Sequence, residues 1–393
     1  MDRPRLAGTF WIGLALILIS EAFLLVDVVA RDYAVVGRSL PASALSEPGT
    51  ALQHLARWVA INFTALCWLG YLLVFDGLLH KIRCRGEVRA SLPNTRSNEG
   101  SPIRARPNRF VVAWLTSIPI WCFFDTFNFY FMDAWRYHGL PEVFSQRVLG
   151  YVIAFAAIAP GMFLAAELVQ RIGVRHAFVK VSGPSRQPMV DRIAWTLTVG
   201  PPVVIGAIVT LILIVRREPF DQWYGILGTA LLLLGPGLVS WYRQRMRTLT
   251  AGLFGLSFLA WTFLARDPLS NFTLWSGLIY LFDPLNKLLG APSLLRDWEL
   301  GRFGRTLALG AGGAICGLLW EFWNYWAVAK WTYDLPFLGP LESVAYFEMP
   351  VLGFSGFLPF AAECWVVLNT ILLVLWRFGL RVAEPLPDSD AII

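Results

Sequence analysis

The chain alternates long apolar runs with short polar segments along most of its length. A transmembrane helix needs roughly 20 mostly apolar residues to cross the hydrocarbon core of a bilayer. Ten runs approach or exceed this length: 8–30, 58–79, 110–132, 148–169, 194–215, 222–242, 249–265, 272–289, 306–327 and 351–376. The pattern predicts an all-α integral membrane protein with about ten transmembrane helices. The eighth run contains Asp283-Pro284, so a broken or re-entrant helix stays open there.

The composition also favours a membrane location. The 393 residues are 56% hydrophobic and 15% charged, whereas about a quarter of a typical soluble domain is charged. Most of the 33 Lys and Arg residues fall in segments on the same predicted side as both termini. This bias predicts a multi-pass protein of the cytoplasmic (inner) membrane with both termini in the cytoplasm. The net charge of +6 is therefore an orientation signal, and no nucleic-acid partner is expected.

Two parts of the chain repeat the same polar and aromatic positions. An offset of 207 residues matches Trp68-x-Gly70 to Trp275-x-Gly277. Farther along, an ungapped offset of 196 residues superimposes five chemically matched pairs: Asp125 on Glu321, Asn128 on Asn324, Trp135 on Trp331, Tyr137 on Tyr333 and Glu167 on Glu363. We interpret these matches as an internal duplication of helices 1–4 in helices 7–10.

The spacing of the two copies determines their relative orientation. Six predicted helices separate equivalent positions, an even number, so the repeats run parallel. A pseudo-twofold axis along the membrane normal and a shared cavity between the copies are expected for such repeats. The predicted divisions are 1–169 for the first repeat, 170–248 for the linking helices 5 and 6, 249–379 for the second repeat and 380–393 for a cytoplasmic tail.

Carboxyl groups inside the apolar runs are the main candidates for chemistry. An ionised carboxylate at the centre of a membrane helix costs roughly 2.5–3.5 kcal/mol on insertion scales, so its presence needs a reason. We assign candidate catalytic acid–base roles to Glu321, Glu363, Asp125 and Glu167. The alternative is structural: each carboxyl is protonated or hydrogen-bonded to a neighbouring side chain and holds the two copies together.

Aromatic and amide residues surround these carboxyl positions in the sequence. The candidate substrate-binding residues are Asn324, Asn128, Trp320, Trp323, Trp326, Trp331, Tyr333, Trp135 and Tyr137. Trp and Tyr are enriched at membrane interfaces in proteins of any function. The aromatic residues between positions 320 and 326, however, point in several directions around one helix, so they cannot all face the interface. Some should therefore line an interior cavity, where aromatic faces suit an apolar or polyene substrate and can stabilise a developing carbocation.

No motif indicates a metal or another cofactor. The four histidines lie in loops or at helix ends, which does not suit a haem or iron site inside the bilayer. The five cysteines have no CxxC spacing, so neither a zinc site nor a disulfide framework is implied. The chain also lacks GxxxxGK[ST], HExxH and GxSxG. The sequence therefore predicts chemistry without a cofactor.

One stretch resembles a known enzyme family. The order Trp320-Glu321, Asn324, then Trp331-Thr332-Tyr333-Asp334 is similar to that of the non-flavin lycopene cyclases. The resemblance implies two similar helical halves and acidic residues that protonate the end of a polyene without metal or redox change. The chain lacks the Pro-x-Glu-Glu of that family and has Glu348-Met349-Pro350 and Pro359-Phe360-Ala361-Ala362-Glu363 instead.

Three functions remain open on the sequence. The first is a membrane enzyme or binding protein that takes an isoprenoid, carotenoid or other lipid-like molecule between the repeats. The second is a proton-coupled transporter, which parallel repeats and buried acids fit equally well. The third is a non-catalytic subunit of a larger membrane complex. The expected partners are membrane lipid or another apolar small molecule, together with partner subunits or further copies of this chain.

Overall fold

Helices make up most of the part of the chain that the structure describes. The computed structural model describes residues 8–31, 45–83, 102–174, 187–216, 223–242, 247–385 and 392. The helices are α1 (Gly8–Ala30), α2 (Ala51–Ile61), α3 (Phe63–Arg83), α4 (Pro102–Ala105), α5 (Pro107–Phe127), α6 (Phe144–Val169), α7 (Gln187–Val215), α8 (Trp223–Tyr242), α9 (Arg247–Ala265), α10 (Ser270–Leu289), α11 (Leu294–Glu299), α12 (Gly304–Trp326) and α13 (Phe357–Arg377). The strands are β1 (Trp135–His138), β2 (Lys330–Tyr333), β3 (Ala345–Tyr346) and β4 (Met349–Pro350).

Eight helices within the described ranges are long and apolar enough to cross a membrane. They correspond to α1, α3, α5, α6, α7, α9, α12 and α13. An all-α, multi-pass membrane protein is therefore confirmed. The two other predicted spans fold as the helices α8 and α10, and their crossing of the membrane stays a prediction. Part of the charge argument rests on segments 84–101 and 175–186, which lie outside the described residues.

Two predicted helices have different boundaries in the structure, and a third, for which a break stayed open, is continuous. The predicted helix 58–79 is two helices, because the chain bends at Asn62 between α2 and α3. The eighth helix runs unbroken through Asp283-Pro284 as α10. The Asp283 carboxylate accepts hydrogen bonds from the N–H groups of Leu294 and Leu295 at 2.7 and 2.8 Å, so it supports the start of α11. The last predicted span begins as a 3₁₀ turn, Val351–Gly356, before α13.

Four helices, α5, α6, α12 and α13, pack together in the middle of the bundle. The helix α3 lies against α6, and α10 lies against α13; farther out, α1 packs on α3 and α9 packs on α10. Glycines allow α12 to approach its neighbours closely. A Cβ atom at Gly312 would lie 2.6 Å from the Met162 carbonyl oxygen of α6, and Gly313 and Gly317 face Phe357 of α13. Small residues at such contacts are typical of helix packing in membranes.

The strands β1 and β2 form a two-stranded antiparallel ribbon, which we call the ribbon. Trp135 pairs with Tyr333, Arg136 with Thr332, Tyr137 with Trp331 and His138 with Lys330. Because side chains alternate between the two faces of a strand, all four aromatic residues lie on one face and the polar residues on the other. The two strands come from the segments that follow α5 and α12, so the ribbon joins the two halves of the chain.

Candidate functional site

A cavity of about 620 Å³ lies beneath the aromatic face of the ribbon. Residues of α3, α5, α6, α7, α10 and α12 line it, together with the start of α13 and the 3₁₀ turn before it. Aromatic residues form much of the wall: Trp68, Trp121, Trp135, Tyr137, Tyr151, Phe155, Phe272, Trp275, Trp320, Trp331, Tyr333, Phe357 and Phe360. The ribbon cavity, as we call it, is therefore a mainly apolar space with few polar groups.

In the first half of the chain, the carboxyl group of Asp125 lies behind the wall of the ribbon cavity. Its Oδ1 atom accepts hydrogen bonds from the Tyr137 hydroxyl at 2.9 Å and from the Trp135 indole N–H at 3.1 Å. The Trp121 indole N–H in turn donates to the Tyr137 hydroxyl at 3.1 Å. The Tyr137 hydroxyl thus connects a side chain of the cavity wall to a carboxyl group beneath it.

Glu321 occupies the matched position in the second half. The Tyr333 hydroxyl donates to its Oε1 atom at 2.8 Å, and the Trp331 indole N–H donates to the Tyr333 hydroxyl at 2.7 Å. The Oε2 atom is buried with no hydrogen-bond partner among the described residues. Burial, and then the neighbouring Glu321 carboxyl, raises the pKa of Tyr333 well above its ordinary value. The phenol therefore remains a proton donor at neutral pH.

Asn128 and Asn324 hold the two strands of the ribbon in place. The Asn128 amide donates to the Trp135 carbonyl at 2.7 Å and accepts from the N–H groups of Ala134 and Trp135 at 2.8 and 3.1 Å. Asn324 donates to the Trp331 carbonyl and accepts from the Trp331 N–H, both at 2.8 Å. Each amide lies three residues after its carboxyl, on the same side of the helix. These two residues therefore position the ribbon.

The predicted aromatic residues separate into two groups. Trp135, Tyr137, Trp320, Trp331 and Tyr333 line the ribbon cavity, as predicted for a binding site. Two other predicted residues are not part of its wall: Trp323 packs on Trp68, with ring centroids 5.5 Å apart, and Trp326 packs beside Tyr325.

Further aromatic residues of the wall did not appear among the predicted site residues. Trp68 and Trp275 both line the cavity, and the 207-residue offset already paired them in the sequence. Phe124 stacks on Trp275 with ring centroids 4.5 Å apart, and Trp275 packs edge-on against Phe360 at 4.8 Å. The recurrence of Trp68 and Trp275 was the signal that could have placed them in the site.

The four candidate carboxyl groups do not meet in one place. Ala361, two residues before Glu363, faces Gly313 on α12, and Ala166, just before Glu167, faces Gly312. Glu321 lies eight residues beyond Gly313 on the same helix, which is ~12 Å at 1.5 Å per residue. Asp125 and Glu321 therefore flank the ribbon, whereas Glu167 and Glu363 lie farther from it, beside the glycines of α12.

The two carboxyl groups farther from the ribbon have different surroundings. Glu167 forms an ion pair with Arg171 and accepts a hydrogen bond from the backbone N–H of Ile392 at 3.0 Å. Glu363 is completely buried, and neither of its carboxyl oxygens has a hydrogen-bond partner in the described part of the chain. It lies one helical turn after Pro359 and Phe360, which line the ribbon cavity. Glu363 is thus close to the cavity but separated from it by Phe360.

No cluster of three or more His, Cys, Asp or Glu side chains suited to a metal ion occurs among the described residues. The groups available for chemistry in the cavity are the hydroxyls of Tyr137 and Tyr333, the two carboxyls behind them, the guanidinium of Arg147, and a few amides and hydroxyls such as Asn62, Asn271 and Ser276. This set can transfer protons and can hydrogen-bond one polar end of an otherwise apolar molecule.

Comparison with known proteins adds nothing to this chemistry. No protein-family model, curated protein or solved structure matches the chain. The similarity to the non-flavin lycopene cyclases thus rests on the sequence order around Glu321 and Tyr333 alone. A proposal for the function has to be argued from the ribbon cavity and its neighbouring carboxyl groups.

Proposed function

We propose that this chain binds an elongated apolar molecule of the isoprenoid or lipid class in the ribbon cavity. The composition of the cavity wall carries the proposal, because aromatic and aliphatic side chains surround only a few polar groups. Burial of apolar surface contributes about 25 cal/mol per Å². The volume of about 620 Å³ also falls within the roughly 300–1,000 Å³ typical of small-molecule sites.

Within this site, we assign acid–base chemistry to the Tyr333–Glu321 pair, with Tyr137–Asp125 as its counterpart. The neutral Glu321 carboxyl is the proton source: the Tyr333 hydroxyl turns to give its proton to a double bond of the bound molecule and takes the carboxyl proton in exchange, so that the hydrogen bond between them reverses. Loss of a proton from a neighbouring carbon of the cation then returns a proton through Tyr333 to the Glu321 carboxylate. Such a sequence isomerises or cyclises a polyene without redox change, and the faces of Trp320 and Trp331 can stabilise the intermediate cation.

We also propose that the two halves arose by duplication and that α8 and α10 complete ten spans. The support comes from matched bonds at positions 196 residues apart. Asn128 and Asn324 each clamp the backbone of a tryptophan seven residues later. Tyr137 and Tyr333 each donate to the carboxyl twelve residues before them. Arg136 and Thr332, which the offset superimposes, pair with each other in the ribbon, as a twofold relation between the strands requires.

Filling the cavity tests the binding proposal. A Cβ atom at Gly150, in the cavity wall, would meet only the Asn62 side-chain oxygen, at 3.6 Å. The substitution Gly150→Phe should therefore fill the space without displacing backbone. Gly252→Phe on α9 is the matched control, because a Cβ there meets nothing within 4 Å and Gly252 is outside the wall. Mass spectrometry of extracted lipids should find an enriched apolar molecule in the wild type and control but not in Gly150→Phe. Equal lipid content in all three would refute binding in this cavity.

Removing one hydroxyl tests the acid–base assignment separately. Tyr333→Phe retains the aromatic wall and removes the hydroxyl that donates to Glu321 and accepts from the Trp331 indole N–H. We expect the ligand to be bound as before but recovered in unconverted form. If the bound ligand has the same chemical structure in the wild type and in Tyr333→Phe, the protein binds the ligand without converting it and is not an enzyme.

Proton-coupled transport is the second candidate, and the isolated carboxyl of Glu363 beside the cavity favours it. Purified protein in sealed vesicles would then move protons together with a solute, and Glu363→Gln would stop both. A subunit role in a larger complex would instead appear as a partner protein that co-purifies in constant proportion.

A further inference from the structure

Three arginines meet where α5 begins and α6 ends. Arg106 precedes α5, Arg109 lies in its first turn, and Arg171 follows α6. Arg106 is close enough to Arg109, Arg171 and Glu167 to interact with their charges. We call these three arginines the arginine cluster. It is distinct from the ribbon cavity, whose wall contains none of them.

The positive charge of the arginine cluster exceeds the negative charge that the described residues place beside it. Glu167 is already used by Arg171 and by the Ile392 N–H. Arg109 is only 9% exposed, and its acceptor is a backbone carbonyl, that of Glu384 at 3.1 Å. Its Nε atom is buried with no partner in the described part of the chain. Arg104, two residues before Arg106, is itself a cation, and the Asp76 carboxylate lies 3.5 Å from it.

Buried guanidinium groups without a carboxylate are unfavourable, because a buried charge needs a partner that replaces its water. A phosphate group suits this arrangement, since its oxygens can accept several N–H bonds from two guanidinium groups at once. The position suits it as well. The candidate membrane spans Pro107–Met132 and Phe144–Ile172 have their ends here, so the cluster lies near the level of lipid headgroups.

We propose that the arginine cluster binds the phosphate of an anionic membrane lipid, with Arg106 and Arg109 as the phosphate-contacting residues. Arg171 acts through Glu167, which fixes the end of α6 beside the site. The charge bias of the sequence predicts that this end faces the cytoplasm, where anionic headgroups attract basic residues. The proposal is independent of what the ribbon cavity binds.

Native mass spectrometry of the purified chain, released from nanodiscs, tests the site. One set of nanodiscs contains phosphatidylcholine only, and a second set contains phosphatidylcholine mixed with phosphatidylglycerol. We expect phosphatidylglycerol to remain bound to the wild type and Arg106→Gln to weaken its retention roughly fivefold, in line with the usual effect of one basic residue near anionic lipid. Arg136→Gln is the matched control, because Arg136 is an exposed arginine paired with Asp133 on the ribbon and should leave retention unchanged.

Two further variants keep the proposal falsifiable. Arg109→Lys keeps the positive charge and should retain part of the binding, whereas Arg109→Gln should lose it. Equal retention of phosphatidylglycerol by the wild type, Arg106→Gln and Arg109→Gln would overturn the proposal. Stabilisation by inorganic phosphate in phosphatidylcholine nanodiscs, to the same extent as by phosphatidylglycerol, would identify a soluble phosphate as the ligand instead. The sequence also has acidic residues at 388 and 390, outside the described residues. If phosphatidylglycerol begins to bind only in Asp388→Asn/Asp390→Asn, the chain itself supplies the counter-charge and the lipid proposal fails.

Discussion

The 196-residue offset of the sequence superimposes Glu167 on Glu363, but the two glutamates have opposite surroundings. Each follows a pair of alanines, and each lies where a helix faces the glycines of α12. Four residues after Glu167 is Arg171, which forms an ion pair with it. Four residues after Glu363 is Val367, which cannot. Glu167 thus has a cation one helical turn away and a backbone N–H donor, whereas Glu363 has neither among the described residues.

The difference indicates that the two glutamates have different roles. Glu167 forms an ion pair with Arg171, and removing either partner would leave a buried charge. The Glu167 carboxyl is therefore held in its ionised form. Glu363 has no cation to compensate an ionised form, and burial of a bare carboxylate is costly. The neutral acid is the form that its site accommodates. Glu363 therefore holds a carboxyl proton near the ribbon cavity, and Glu167 does not.

The largest expected difference between Glu363 and Glu167 is in their reaction with a carboxyl-labelling reagent. Dicyclohexylcarbodiimide is an apolar reagent that modifies protonated carboxyl groups: the acid proton moves to a nitrogen while the carboxyl oxygen adds to the central carbon. We expect peptide mass spectrometry to find the modification on Glu363 and none on Glu167. The matched variant Val367→Arg gives Glu363 a cation four residues away and should abolish its labelling. Labelling of both glutamates to the same extent would contradict the contrast between the halves.

The next largest expected difference is in how much substitution of each glutamate changes the free energy of unfolding. Glu167→Gln leaves Arg171 without its counter-ion and should destabilise the protein by about 3–5 kcal/mol, the usual result of breaking a buried pair. Glu363→Gln loses no described hydrogen bond and should change the free energy of unfolding by no more than about 1 kcal/mol. Denaturant titration in bicelles measures both. A larger loss for Glu363→Gln than for Glu167→Gln would show that the roles are reversed.

The smallest expected effect compares the two amides that hold the ribbon. Asn128 makes three hydrogen bonds to the backbone before and in β1, and Asn324 makes two to β2. We expect Asn128→Ala to destabilise the protein by about 1–3 kcal/mol and Asn324→Ala by about 1 kcal/mol less. Hydrogen exchange at the amides of Trp135 and Trp331 should accelerate in the same order. Faster exchange in Asn324→Ala than in Asn128→Ala would contradict this ranking.

The helices could be predicted from the sequence because membrane spans require long apolar runs. The break at Asn62 and the late start of α13 at Phe357 were missed, since both lie inside continuous apolar runs where hydropathy does not change. The contrast between Glu167 and Glu363 is visible in the sequence as Arg171 against Val367. The sequence does not show that Ile392 also bonds to Glu167, because that contact joins residues 225 positions apart.

The ribbon was not predicted, although its sequence carries a signal. Trp135-Arg136-Tyr137-His138 and Lys330-Trp331-Thr332-Tyr333 alternate aromatic and polar residues, the period expected of a strand. Runs of four residues are too short to distinguish a strand from a loop by pattern alone. The cavity could not be foreseen either, because its wall combines residues from distant parts of the chain, and Trp323 and Trp326 differ from Trp320 only in the direction they face.

The ribbon limits how the two halves can move. Its strands pair over four residues, the Asp334 N–H bonds to the Ala134 carbonyl at 2.9 Å, and Arg136 reaches Asp334 at 3.4 Å. Transporters of parallel-repeat architecture expose a central site by rocking one half against the other. In this protein, such rocking would have to break the hydrogen bonds between β1 and β2 in every transport cycle. The bound molecule should therefore enter the ribbon cavity laterally, between helices. A disulfide between two cysteines introduced in β1 and β2 should leave binding of that molecule unchanged.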